Sequence, residues 1–432
     1  MSEANTDTVL QKINPESLAR TLCSLVDIAS PTGEEGTLAG HIAALLTDFG
    51  ATGSVQKIDD QQSNAVGQLA AAKRNSELGK ALLLYAPIDT VTSNSEEEDL
   101  PWLAKEMPHE ARAQSRFDGT HVFGLGAHNP KGHAACILEA ARVLSESGIA
   151  LANDLFLGFG AGGMPTNARV GTRENCGHGA GCQYMLDQGS RIGFNPEVAI
   201  IAKSGWSISY EEVGLTWFEV WVHGTHNYSG ARHLMPYRNP IVDAARLIQQ
   251  LDEWLAAWPE RHRSGLVAPQ GVVSFIESGW ERMPSFTPEV CRLRIDLRLS
   301  PRTRTEEAEA DFARVLADIC ADLNIEADFR RIVSIPGTST PLDDEVIRKT
   351  IGAWERVTHS QHEFVSGLSG ATDANILRLN GLPTARVGLP KADLPSMDFQ
   401  LGMNAVALED LVALTKVLVL SAISICGSNT VH

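Results

Sequence analysis

The chain has 432 residues, 43% hydrophobic and 21% charged, which is enough for two domains with substantial cores. A formal net charge of -17 argues against nucleic acid as a general partner, and no apolar run approaches the ~20 residues needed to span a bilayer. The opening MSEANTDTVL lacks a basic segment followed by an apolar core, and the 7 cysteines are scattered, so the expectation is a reduced, cytoplasmic protein.

Asn14-Pro15-Glu16 predicts a helix start, with Asn14 as cap and Pro15 in the first turn. That helix runs through Ile28 and carries Leu18, Leu22 and Leu25 on one face. SPTGEEG interrupts it, and Thr37 to Phe49 forms a second amphipathic helix. Val66 to Ala71 and Ala81 to Tyr85 read as strands, and the acidic run Glu96 to Asp99 as a solvated loop face. A small-residue helix begins near Lys131 and runs to Ser145, followed by an apolar strand, Leu155 to Phe159. The Gly-rich stretch to Cys182 reads as a loop, and Glu197 to Ile201 as another strand. Glu211 to His223 alternates through Leu215, Trp217, Glu219 and Trp221, which predicts the first strand of a separate sheet. Helix Pro240 to Leu255, strands Val272 to Glu277 and Val290 to Leu299, and helix Thr305 to Asn324 follow; a last helix spans Leu408 to Ile423.

Two phrases organise the chain: ALLLYAPIDTV (Ala81 to Val91) and FGLGAHNPKGHAAC (Phe123 to Cys136). The first is a buried parallel strand that delivers Asp89 to a strand end, and the second is a Gly-punctuated loop entering a helix. Ligands of open α/β sheets sit outside the carboxyl ends of strands, so both phrases should border one cleft. These phrases resemble the signature loops of the di-zinc amidohydrolases of the acetylornithine deacetylase, succinyl-diaminopimelate desuccinylase and carboxypeptidase G family, peptidase family twenty. SGATDANILRLNGLPTARVGLP (Ser369 to Pro390) resembles the late motif of the same family. The resemblance implies an α/β, zinc-aminopeptidase-like catalytic domain over 1–212 and 329–432. It also implies an inserted α+β, ferredoxin-like lid or dimerisation domain over 213–328, and hence a homodimer.

The family pattern is His-x-Asp, then Gly-x-Gly-x-x-Asp-x-Lys-Gly, then a Glu-Glu pair, a further acidic ligand and a late His. At the five ligand positions this chain carries Pro87, Asn129, Gly163, Lys203 and, counting back from Leu411, Gln400; the adjacent base position is Gly162. Zinc needs three or four His, Cys, Asp or Glu ligands, and these residues do not supply them. The expectation is no metal and no cofactor. A relocated metal site using His128, His133 and Asp89 is the rival reading.

The substitutions also change the sign of the cleft. It loses carboxylates and keeps or gains Lys131, Lys203 and histidines, so it should hold anions. Lys203 is the candidate that stabilises developing negative charge, with an exposed loop lysine as the alternative. His128, beside the former bridging Asp, could exchange protons near neutral pH. Asp89 reads as a structural acceptor or a base. In the lid segment HGTHNYSGARHLMPYRNPI, His226 and His233 both correspond to the family's oxyanion-stabilising His, with His226 slightly preferred. Asn129, Lys131, Asp373 and Gln400 are candidates for substrate contact. Arg292, Arg294 and Arg298 fall on one face of a strand, a solvated face or, for Arg294, an anion-binding one.

The functional expectation is a metal-independent enzyme acting on an anionic amino-acid derivative, free or bound to an acidic amino-group carrier protein. The reaction would be elimination, or internal displacement of an anion such as sulfate with small-ring closure, in natural-product biosynthesis. A divergent amidohydrolase with a rebuilt metal site and a non-catalytic binding protein are the alternatives.

Overall fold

The computed structural model describes residues 3–103, 106–166, 176–394 and 399–428. The chain divides into two compact units. The first comprises Met1–Tyr210, Thr340–Phe364 and Thr372–His432; the second comprises Glu211–Ser339 and Val365–Ala371. No described helix is long and apolar enough to cross a membrane.

The first unit is built on a six-stranded sheet. Its spatial order is Thr52–Lys57, Ser63–Leu69, Leu155–Gly160, Leu82–Pro87, Val198–Ala202 and Thr384–Val387. Leu82–Pro87 lies between two parallel neighbours, with Pro87 level with Gly160 and Tyr85 level with Ile201. That central place explains why the run is buried on both faces and reads as continuously apolar. Parallel pairing aligns the carboxyl ends of four strands, which brings Asp89, the 160–164 turn, Lys203 and the 388–390 turn to one end of the sheet.

Helix Pro15–Val26 starts where Asn14 accepts the Ser17 N–H, and it buries Leu18, Leu22 and Leu25. Helix Lys131–Ser147 packs into the same core and stops at Gly148, whose φ of 74° needs no β-carbon. The acidic run expected as a loop is instead the start of helix Glu96–Leu103. Asp99 supplies the reason, since its carboxylate accepts the backbone N–H groups of Ser93 and Ser95 and is drawn inward.

The second unit is a four-stranded antiparallel sheet ordered Gly271–Ser278, Val290–Leu299, Gly214–His223 and Ala327–Ile335. Phe218, Val220 and Val222 face helices Pro240–Ala256 and Thr305–Leu323. The Phe218 ring stacks on Phe312 at 4.4 Å. Trp217, Glu219 and Trp221 occupy the opposite face. The fourth strand carries this unit past the boundary expected at 328, because Ala327–Ile335 pairs along nearly all of Gly214–His223. Its period-2 pattern is broken by three charged residues, Asp328, Arg330 and Arg331, which hid it in the sequence.

Candidate functional site

The turn after Leu155–Gly160 reads Ala161-Gly162-Gly163-Met164, and every one of its N–H groups is held by a side chain. Asn64 Oδ1 accepts from Ala161 at 2.9 Å and Glu35 Oε1 from Gly162 at 2.9 Å. Asp89 Oδ1 accepts from Gly163 at 2.8 Å and from Met164 at 3.2 Å. Asp89 Oδ2 takes the Thr32 hydroxyl at 2.6 Å and Met164 N–H at 3.1 Å. Asp89 is therefore saturated with donors.

Burial raises the Asp89 carboxyl above its ordinary range, while the Thr32 hydroxyl and the Lys203 charge pull it back. Glu35, also fully buried, is pushed up to about 8 by desolvation and by the neighbouring Asp89. Of the two, Asp89 has the donors and the nearby ammonium, whereas Glu35 Oε2 has no hydrogen-bond partner. The charge therefore rests on Asp89 and the proton on Glu35.

Lys203 follows Val198–Ala202 and is 6% exposed, with Nζ 3.3 Å from Met164 Sδ. Its charge acts on Asp89 and on Asp373 alike. Asp373 receives the Tyr85 hydroxyl on Oδ2 at 2.5 Å. Burial lifts the Asp373 carboxyl to about 7, against the pull of Tyr85 and Lys203. Two anion positions and one fixed cation thus share a nearly closed space.

The resident metals implied by the family resemblance do not fit these residues. Pro87 and Gly163 offer no donor, and Lys203 brings a positive charge. A β-carbon at Gly163 would overlap Pro87 Cβ and stand 2.5 Å from Asp373 Oδ2; one at Gly162 would overlap the Cys176 carbonyl. A β-carbon at Gly160 would overlap the Tyr85 hydroxyl. At 162 and 163 the space a side chain would need is taken by the Cys176 carbonyl, Pro87 and Asp373. Among the described residues, no three His, Cys, Asp or Glu side chains group closely enough to hold a metal ion, the trio His128, His133 and Asp89 included.

The second signature loop supplies the other wall. His128 Nε2–H donates to the Pro390 carbonyl at 2.9 Å, which leaves Nδ1 as an acceptor without a partner among the described residues. His133 Nε2 accepts the Leu389 N–H at 3.1 Å, so its proton is on Nδ1. Burial lowers the basicity of both rings, and both are neutral at pH 7. Asn129 reaches Met403 Sδ at 3.5 Å, with Oδ1 buried and unpartnered. Lys131 is fully buried, donates to the Ile28 carbonyl at 2.6 Å, and is lowered by desolvation to about 7. Its ammonium joins the loop to the end of the first helix. Gln400 falls in helix Phe399–Asn404, but its side chain lies outside the described residues.

His226, His233 and Arg294 belong to the second unit. His226 Nδ1–H donates to the Thr287 carbonyl at 3.0 Å, and the ring stacks on Phe286 at 5.5 Å beside a cavity of about 260 Å³ lined by Trp280 and Met283. His233 is exposed. Arg294 reaches Glu219 at 3.3 Å, as do Arg292 at 3.5 Å and Arg330 at 2.9 Å. Glu219, 2% exposed, offsets part of this charge, while Glu277 also pairs with Arg292 and Asp296 with Arg298.

Sequence reasoning missed Glu35 and Tyr85. Glu35 sits in SPTGEEG, which reads as a helix breaker, and Tyr85 ends an apolar run, where an aromatic reads as core. The available signal was the run of glycines after Leu155–Phe159, since a loop without side chains must leave room for something.

Residues 210–324 match the peptidase dimerisation domain family. Over its whole length the chain is similar to several solved structures. These include the dipeptidase Dug1p of Saccharomyces cerevisiae (TM-score 0.74, 11% identity, 98% of each chain) and human carnosine dipeptidase 1 (0.72, 14%, 98% of each). A third is the M20 family metallo-carboxypeptidase Sso-CP2 of Sulfolobus solfataricus (0.66, 14% identity, 95% of this chain and 99% of that one). At these identities the likeness is one of fold.

Two outcomes follow from the geometry. Glu35 keeps its proton up to about 8 in the folded chain, against an ordinary 4.5. The stability this contributes is complete below the unfolded value and is lost as pH rises through the folded one. Glu35→Gln should flatten that loss, so its melting temperature should gain on the parent between about pH 5 and about pH 8; parallel curves would contradict the assignment. Gly163→Ala should cost about 1–3 kcal/mol in denaturant unfolding, because Pro87 and Asp373 leave no room for a methyl.

Proposed function

We propose that this protein, which has the fold of the M20 peptidases and carries a peptidase dimerisation domain, is a metal-independent enzyme. Its substrate is an anionic amino-acid derivative, and its reaction expels an anion by elimination or internal displacement. The observation that carries this reading is the buried Lys203 ammonium acting on Asp89 and Asp373, beside glycines that leave no space for ligands. A fixed cation in a water-poor site stabilises charge as it develops and needs no reorganisation to do so. Sulfate, phosphate or carboxylate is the class of leaving group that this charge suits.

The similarity to dipeptidases supports an amino-acid-derived substrate. A free derivative is the simpler form. A net charge of -17 repels an acidic carrier protein at long range, and the arginine row that could attract one is paired with Glu219, Glu277 and Asp296. A role in natural-product biosynthesis belongs to the same proposal, since internal displacement builds rather than degrades.

The test is anion release from sulfated or phosphorylated amino-acid derivatives in the presence of chelator. Lys203→Met should lower turnover by about 2–4 kcal/mol of barrier with a smaller effect on ground-state binding. Unchanged release in that variant removes Lys203 from the reaction.

A homodimer belongs to the same reading. The edge strand Gly271–Ser278 leaves Val272 49% and Ile276 53% exposed, an apolar edge that a second copy would cover. Ile276→Asp should shift sedimentation from dimer to monomer; a monomeric parent protein at micromolar concentration would contradict the dimer.

A further inference from the structure

An amine that displaces an anion must first lose a proton, and the site has four groups that could take it. Asp89 accepts hydrogen bonds from Thr32, Gly163 and Met164 and has both oxygens occupied. Glu35 is 0% exposed and its free oxygen is sealed from solvent. His128 holds its ring through Pro390, and its remaining nitrogen is buried. Asp373 differs from all three. Tyr85 fixes Oδ2, while Oδ1 accepts no hydrogen bond among the described residues. Gly163 and Gly179 make room for the carboxyl: a β-carbon at Gly163 would stand 2.5 Å from Oδ2, and one at Gly179 3.0 Å from Oδ1. The residue is 3% exposed, where Asp89 and Glu35 are 0% exposed, and its Oδ1 is not among the sealed, unpartnered atoms.

We infer that Asp373 is the general base of this site, taking the substrate proton on Oδ1, and that Tyr85 is the positioning residue that presents that oxygen. The inference rests on the displacement reading above. Oδ1 takes one proton from the substrate ammonium. The freed nitrogen lone pair forms the C–N bond as the C–O bond to the leaving group breaks, and that electron pair departs with the anion beside Lys203. The ring nitrogen remains an ammonium, and Asp373 returns to its ionised form by giving the proton it took to water. A carboxyl lifted to about 7 is matched to this work at neutral pH, and the Tyr85 hydrogen bond keeps it from rising further.

The roles of the two residues separate in a pH profile. Activity should rise with pH through about 7, as Asp373 ionises. Asp373→Asn should lose about 10²-fold or more in turnover at every pH. Tyr85→Phe removes the donor that favours the ionised form, so its inflection should move to higher pH, with activity recovered there. A purely structural tyrosine would lower the plateau without moving the inflection. Retained activity in Asp373→Asn overturns the assignment.

A second measurement needs no turnover. The parent protein is treated at neutral pH with a small water-soluble epoxide that esterifies reachable protonated carboxyls, and adducts are mapped by mass spectrometry. Among the three buried carboxyls the adduct should form on Asp373; an adduct on Asp89 or Glu35 instead, or on none of them, overturns the inference. If no candidate substrate releases an anion, the displacement reading fails by itself, and the labelling still decides whether Asp373 is the reachable carboxyl.

Discussion

Buried charge must be balanced, and the site depends on how this chain balances it. Among the described residues, Asp89, Asp373 and Glu35 lie out of water with the Lys203 ammonium at the carboxyl end of a parallel sheet. Full ionisation of the three carboxyls would leave negative charge that Lys203 does not offset, at several kcal/mol per charge in a low-dielectric interior. The chain avoids that state in two ways. Lys203 answers one carboxylate, and burial keeps protons on Glu35 to about 8 and on Asp373 to about 7. Asp89, with hydroxyl and backbone donors around it, carries the remaining negative charge. The result at neutral pH is a nearly neutral cluster that still contains a fixed cation and an ionisable base.

The same constraint explains the glycines. Asp89 and Glu35 reach the 161–164 turn through its backbone N–H groups, so the turn must run close to both. Tyr85 and Asp373 fill the volume in front of it, and a side chain at 160, 162 or 163 would collide with one of these groups or with the Cys176 carbonyl. Glycines in this turn and a lysine at 203 thus answer one constraint together. A chain with glycine here and an acidic residue at 203 would bury more negative charge than it could hold.

Much of this was legible before the structure. The helix starting at Asn14-Pro15, the apolar run ending in Asp89 and the Gly-rich loop before Lys131 carried the fold, because capping, period and turn chemistry all agreed there. Lys203 was legible because a cation stands where the family resemblance places an anion. Tyr85 and Glu35 were not, since their roles arise from contacts with residues 288 and 127 positions away. Lys131 read either as a cleft cation or as a structural part of the Lys-Gly turn, and its bond to Ile28 favours the second, a distinction that depends on which way a long side chain turns. The arginines of Val290–Leu299 shared a face as their spacing required, but Glu219, Glu277 and Asp296 pair with them.

The central claim is that an internal ammonium has taken the place of bound metal. Elemental analysis of the purified protein, joined to calorimetric titration with zinc, tests it most directly. Purified protein should carry substoichiometric transition metal and no saturable zinc site, and its anion release should survive chelation. A tightly bound metal at one or more ions per chain, lost together with activity on chelation, would contradict it.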